Sequence, residues 1–208
     1  MKAHKIFLFA CLNFMASVSY AQPETVIVGK KTDGTDLKAE CYTFPQRIET
    51  FSMSDKGDYL CISFRETTQS GKYLKNKGEI GFYDVKNRQL LWTQPIDFAT
   101  TQVTCMSEGV LTTRNNNKIS LLSKENGEKR WETKLFPIHA DDSLELILGY
   151  SSATSNKLRA VYLPFGNELW QKKMPHKYGW NQVLDLDRNK RLIVADDLHK
   201  LDFMTGEL

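Results

Sequence analysis

Leu122-Ser123-Lys124-Glu125-Asn126-Gly127-Glu128-Lys129-Arg130-Trp131 holds the end of one strand, a tight turn, and the start of a second strand with a tryptophan four residues after the glycine. Residues 118–123 place aliphatic side chains at alternate positions, as a half-buried strand does. Asn-Gly accepts the positive φ that hairpin turns demand. Beyond the turn, Trp131, Thr133 and Leu135 share one face. The unit recurs. Trp92, Trp131 and Trp170 stand 39 residues apart. Their turns are Lys86-Asn87-Arg88, Asn126-Gly127 and Pro164-Phe165-Gly166-Asn167. Another copy opens at Thr205-Gly206-Glu207-Leu208. The first copy departs from the pattern, with Arg88 in the glycine's place. A period of about 40 residues marks a stacked-repeat architecture. The chain stops inside the last copy and so reads as part of a longer protein.

A second hairpin precedes each of these. Residues 48–52 and 59–64 flank the turn Asp55-Lys56-Gly57-Asp58, and residues 182–186 and 191–195 flank Asp187-Arg188-Asn189-Lys190. Two hairpins per repeat make a four-stranded antiparallel sheet. Helical periodicity is missing after the leader. In the third unit, residues 144–150 fit either the first or the second strand. Such a sheet cannot bury both faces alone, and radial stacking solves this. The predicted fold is therefore an all-β propeller with about four blades, near 41–97, 98–135, 136–175 and 176–208, the last partial. A β-sandwich with coincidentally spaced tryptophans leaves the recurrence of turn and alternation unexplained. The docking set is Trp92, Trp131 and Trp170 with Gly127, Gly166 and Gly206. Each indole lying flat on the next blade is worth on the order of 1.5–3 kcal/mol of apolar burial.

The strand, the Thr/Asn-Gly turn and the tryptophan four residues later resemble the tryptophan-docking repeat of the pyrroloquinoline-quinone-like (PQQ-like, quinoprotein dehydrogenase-like) β-propellers. The matches run through 122–131, 166–170 and 201–208, and the resemblance covers roughly residues 41–208. It implies a ring of more than four blades. The family includes quinoprotein dehydrogenases, an outer-membrane assembly scaffold lipoprotein, and sensor or adhesion modules, so fold alone does not assign function. In the dehydrogenases the quinone needs a calcium held by acidic and amide side chains, a general-base aspartate, and commonly an adjacent cysteine pair. No adjacent cysteines occur here. The expectation is no cofactor, with PQQ and calcium belonging only to the alternative, the amino-terminal half of a PQQ-dependent dehydrogenase.

Residues 1–21 read as a signal peptide: Lys2 and Lys5, an apolar run at 6–18, and small Ser19 and Ala21 at the cleavage site. Leu8-Phe9-Ala10-Cys11 resembles a lipoprotein box only superficially, since few apolar residues precede Cys11. The predicted location is periplasmic or secreted. No other apolar stretch reaches the ~20 residues of a membrane span. Without Lys2 and Lys5 the chain has 26 basic residues against 25 acidic. So even a balance argues against a nucleic-acid surface. Residues 22–40 form an amino-terminal segment in which 25–28 is a candidate closing strand. Cys41, Cys61 and Cys105 make neither a disulfide framework nor a zinc site. Cys41–Cys61 is the pair best placed to form in an oxidising space, and buried free thiols are the simpler reading of Cys61 and Cys105.

No nucleophile, metal or phosphate-loop motif is present, and no catalytic residue is assigned. His139, His176 and His199 lack metal-ligand spacing. Asp141-Asp142 and Asp196-Asp197 suit turns. Two surface features remain. The insertion at 66–78, with Lys72, Tyr73 and Lys75, joins the second and third strands of the first blade. The connection at 175–180, with His176, Tyr178 and Trp180, joins two blades. In a propeller both emerge on one face. Long loops on a rigid scaffold and an aromatic beside His and Lys suit a protein partner or a small extracellular ligand. The plainer readings are a solvated insertion and a tryptophan packed between blades.

Overall fold

The computed structural model describes residues 24–174, 182–185, 190–194 and 198–208. The signal-peptide reading at 1–21 and the aromatic connection at 175–180 lie outside the described residues. Strands account for the regular structure, with no helix among the described residues.

Strands β1 (Glu24–Lys30) and β2 (Asp36–Cys41) form a two-stranded ribbon. Blade 1 is β3 (Ile48–Met53), β4 (Tyr59–Phe64), β5 (Lys77–Asp84) and β6 (Gln89–Asp97). Blade 2 is β7 (Thr101–Met106), β8 (Gly109–Arg114), β9 (Lys118–Ser123) and β10 (Lys129–Lys134). Blade 3 is β11 (Phe136–Asp141), β12 (Leu146–Tyr150), β13 (Lys157–Tyr162) and β14 (Glu168–Lys173). Blade 4 contributes β15 (Gln182–Asp185), β16 (Lys190–Val194) and β17 (Leu198–Asp202). Within every blade neighbouring strands are consecutive and antiparallel. The chain is an all-β array of propeller blades.

Alternation along each strand sends side chains to both faces, and each face needs a neighbour. Cys61, Ile80, Phe82 and Trp92 of blade 1 meet Cys105 and Val110 of blade 2. Leu111, Ile119 and Leu121 of blade 2 meet Ile147 and Val161 of blade 3. Leu148, Leu158 and Ala160 of blade 3 meet Leu201 and Phe203 of blade 4. The other face of blade 1, around Ile62, Phe64 and Tyr83, is lined by Tyr42 and Phe44 from the segment after β2. Beyond them Phe51 and Met53 are exposed.

Within residues 144–150, ambiguous in the sequence, Leu146–Tyr150 is the second strand of blade 3. The first is Phe136–Asp141, which Pro137 and a register shift between Pro137 and His139 disguise. The stretch 25–28 lies in β1 and pairs with β2, Val26 opposite Ala39 and Ile27 opposite Lys38. Cys41, Cys61 and Cys105 are all free, Cys41 exposed and the other two buried, so the Cys41–Cys61 pairing is not formed. Burial pushes the Cys61 and Cys105 thiols up to about 12, which keeps them protonated and unreactive.

Candidate functional site

The tryptophans link blades through one repeated contact. Trp92 Nε1 donates to the Lys124 carbonyl at 3.0 Å, Trp131 Nε1 to Leu163 at 2.8 Å, and Trp170 Nε1 to Phe203 at 2.8 Å. Each indole lies over the turn glycine of the next blade. A Cβ on Gly127, Gly166 or Gly206 would stand 2.7, 2.5 or 2.8 Å from that ring. The three glycines also have φ near +72°, where other residues are strained. Trp92 is buried, while Trp131 and Trp170 are half-buried, less enclosed than the stacking argument implies. Arg88 holds the same left-handed conformation, φ 55°. Its guanidinium pairs with Glu40 of β2.

Asp142 makes a second link that sequence reasoning assigned only to a turn. Buried in blade 3, its carboxylate accepts from Ser107 N at 2.7 Å and Ser107 Oγ at 2.6 Å in blade 2. Asp141 accepts from Ser143 Oγ and Leu144 N. His139 is half-buried, 3.6 Å from Asp141 and edge-on to Phe203. No cluster of metal-ligating side chains occurs among the described residues.

The insertion between β4 and β5 is an ordered hairpin rather than a loose loop. Thr67 bridges Leu74, Thr68 N donates to the Tyr73 carbonyl at 2.7 Å, and Gly71 turns the tip with φ 69°. Its base is braced by Arg65. That guanidinium donates to Lys75 O at 2.8 Å, pairs with Glu49 at 2.8 Å, and lies 5.0 Å from the Phe98 ring centre. Lys75 pairs with Glu66 at 2.5 Å, and the ammonium lowers the Glu66 pKa. Lys72 is exposed, and Tyr73 is 71% exposed at the tip.

The connections between blades share this face. Phe98 N donates to Asn76 O, Leu135 N to Asn117 O and Met174 N to Asn156 O, each at 2.8 Å. Each bond joins a second-to-third-strand loop to a blade-to-blade connection. The connection that carries His176, Tyr178 and Trp180 leaves from Met174, but those three residues lie outside the described residues. Lys72, Tyr73 and Lys75 are thus brought together on the hairpin.

Neither a protein-family model nor a curated protein matches the sequence. Among solved structures, the chain is similar to BamB from Moraxella catarrhalis, with 14% identity, a TM-score of 0.48, and coverage of 84% of this chain and 52% of that one. It is also similar to the Neurospora crassa Pan2 WD40 domain, with 13% identity, a TM-score of 0.43, and coverage of 78% and 48%. A chain of the mitotic checkpoint complex gives 13% identity, a TM-score of 0.44, and coverage of 90% and 59%. The chain spans about half the length of these structures. No helix of the described residues is long and apolar enough to cross a membrane.

Proposed function

We propose that this chain belongs to an exported, non-enzymatic PQQ-like β-propeller that serves as a protein-interaction scaffold. The observation that carries the reading is the braced hairpin at 65–76, which holds Tyr73 out at 71% exposure on a rigid blade. A large amphipathic ring presented from an ordered base suits a protein interface, because little conformational entropy is lost on contact. Lys72 and Lys75 flank it. The sequence also nominates His176, Tyr178 and Trp180 for the contact.

The export reading rests on Lys2, Lys5, the apolar run at 6–18 and Ala21. The non-enzymatic reading rests on the lack of an adjacent cysteine pair and of any catalytic motif in the sequence. The deciding experiment places a photo-crosslinking phenylalanine analogue at position 73 in the natural host. A discrete protein adduct, lost when the probe is moved to buried position 83, is the expected result. Illumination that yields no adduct at position 73 overturns the scaffold reading.

A further inference from the structure

The blade loops emerge at two ends, and charge sorts between them. One end carries the second-to-third-strand loops and the blade-to-blade connections, the hairpin at 65–76 among them. The other carries the first-to-second and third-to-fourth-strand turns. Carboxylates predominate at the turn end. The turn at 142–145 has Asp142 and Glu145 and no cation, and the turn at 54–58 has Asp55 and Asp58 against Lys56. Many of these carboxylates have local work. Asp84 accepts from Asn87 N at 2.8 Å, Asp202 from Thr205 N at 3.0 Å, and Asp142 from Ser107 Oγ at 2.6 Å. Turn capping of this kind accounts for acidic side chains gathering there.

At the hairpin end the balance is reversed. Some of its charges neutralise one another: Arg65 pairs with Glu49, Lys75 with Glu66 and Lys118 with Glu132. Beyond these pairs, blade 1 has Arg47 before β3, Lys72 at the hairpin tip and Lys77 at the start of β5. Blade 2 adds Arg114 and Lys134, the last residues of β8 and β10. Blade 3 adds Lys157, the first residue of β13, and Lys173, the last of β14. All of these cations are exposed, and their side chains make no hydrogen bond or ion pair among the described residues. The carboxylates outside the pairs at this end are Asp97, which accepts from Ala99 N at 3.0 Å, and Glu79, two residues into β5. The end is therefore strongly basic, although 28 basic residues stand against 25 acidic ones in the chain as a whole.

These cations hold nothing in the fold, and the field they sum to acts at long range. Packed sheets stand about 10 Å apart, so cations on three successive blades span more than one small anion. Tyr73 is the one exposed aromatic of these loops among the described residues. A single ring is too little for the stacking platform that nucleic acid needs or for the apolar face of a lipid-binding surface. The complement is a broad surface of scattered carboxylates around one pocket for a ring. We propose that the hairpin end docks an acidic protein surface, with Tyr73 at the contact and Lys77, Arg114 and Lys157 steering the partner onto it. This partner chemistry rests on the hairpin being the contact site of the scaffold, and the segregation of charge selects the end that such a partner approaches.

The test combines the photo-crosslinking residue at position 73 of the full chain, in the natural host, with charge reversal. Lys77→Glu, Arg114→Glu and Lys157→Glu together should keep the circular dichroism spectrum and cut the protein adduct at least tenfold. Lys56→Glu with Lys86→Glu, at the turn end, should leave the yield unchanged. Lys77→Glu alone should lower it at least threefold, and it carries the test if the triple variant fails to fold. The purified full chain should also bind poly-L-glutamate, with an affinity that falls as salt rises, and the triple variant should not. An adduct that forms equally well in the folded triple variant overturns the acidic partner and spares the scaffold reading, whereas no adduct in any variant overturns both. An adduct whose added mass is lipid or nucleotide, or a full chain that ignores polyglutamate, overturns the proposal as well.

Discussion

The indole nitrogen of Trp131 donates to the carbonyl oxygen of Leu163, 32 residues along the chain, at 2.8 Å. This bond crosses from blade 2 to blade 3 and positions the ring above Gly166. It couples a local turn in one repeat to a side chain of the previous one.

Gly166 and Gly34 both have positive φ, +72° and +83°, but only Gly166 lies under a ring, its Cβ position 2.5 Å from Trp131. Gly34→Ala should cost only the left-handed strain, about 1 kcal/mol. Gly166→Ala adds overpacking and should cost roughly 3 kcal/mol in all. Urea midpoints of the two variants check this, and equal shifts would remove the docking role from Gly166.

Trp131→Ala should lower stability by roughly 3 kcal/mol, the low end for a large core aromatic because the ring is half-buried. Trp131→Phe keeps much of the apolar contact and loses the Leu163 bond, at about 1 kcal/mol. Chemical denaturation of both separates packing from hydrogen bonding. No difference between them would mean that the bond contributes nothing.

Glu108 accepts from Lys124 at 3.0 Å and Arg130 at 2.9 Å. Burial raises its pKa, but the two cationic donors together outweigh burial and hold the carboxyl below the usual range. A carboxyl lowered in the folded state stabilises above its unfolded value, and the contribution fades as pH falls through the folded one. Glu108→Gln should therefore cost about 1 kcal/mol at pH 7, discounted for partial exposure. The gap should close below about pH 4. Thermal melts of both proteins from pH 7 to pH 3 measure it, and a gap that stays constant would assign the effect to shape rather than charge.

Pyrroloquinoline quinone titrated together with calcium should give no stoichiometric binding. The expectation follows from the missing adjacent cysteine pair. Fluorescence quenching of the tryptophans reports binding directly. A tight one-to-one endpoint would favour the dehydrogenase alternative.

Much of the fold was legible because its determinants are local. Asn126-Gly127 and the tryptophan at 131 announce a hairpin within ten residues. Strand 136–141 was harder, since Pro137 and the register shift beside it break the alternation that marks a strand. The hairpin at 65–76 carries little sequence signal, since one isolated bridge, Thr67 to Leu74, joins its arms in place of an alternating strand pair. The site was less legible than the fold. Asp142 and Ser107 are 35 residues apart, and nothing near either names the other.

Arg88 takes the left-handed turn that its counterparts fill with glycine, and its guanidinium pairs with Glu40 of the ribbon. The fastening between blades is thus one-way. Blades 1, 2 and 3 each extend an indole forward, and blades 2, 3 and 4 each receive one, whereas at the corresponding turn of blade 1 Arg88 pairs with Glu40. Removing Trp92 should release blade 2 while leaving blade 1 hooked to the ribbon, whereas removing Trp170 should spare everything before it. Such an array has an unravelling direction, set by the order of repeats along the chain rather than by the strength of any single seam.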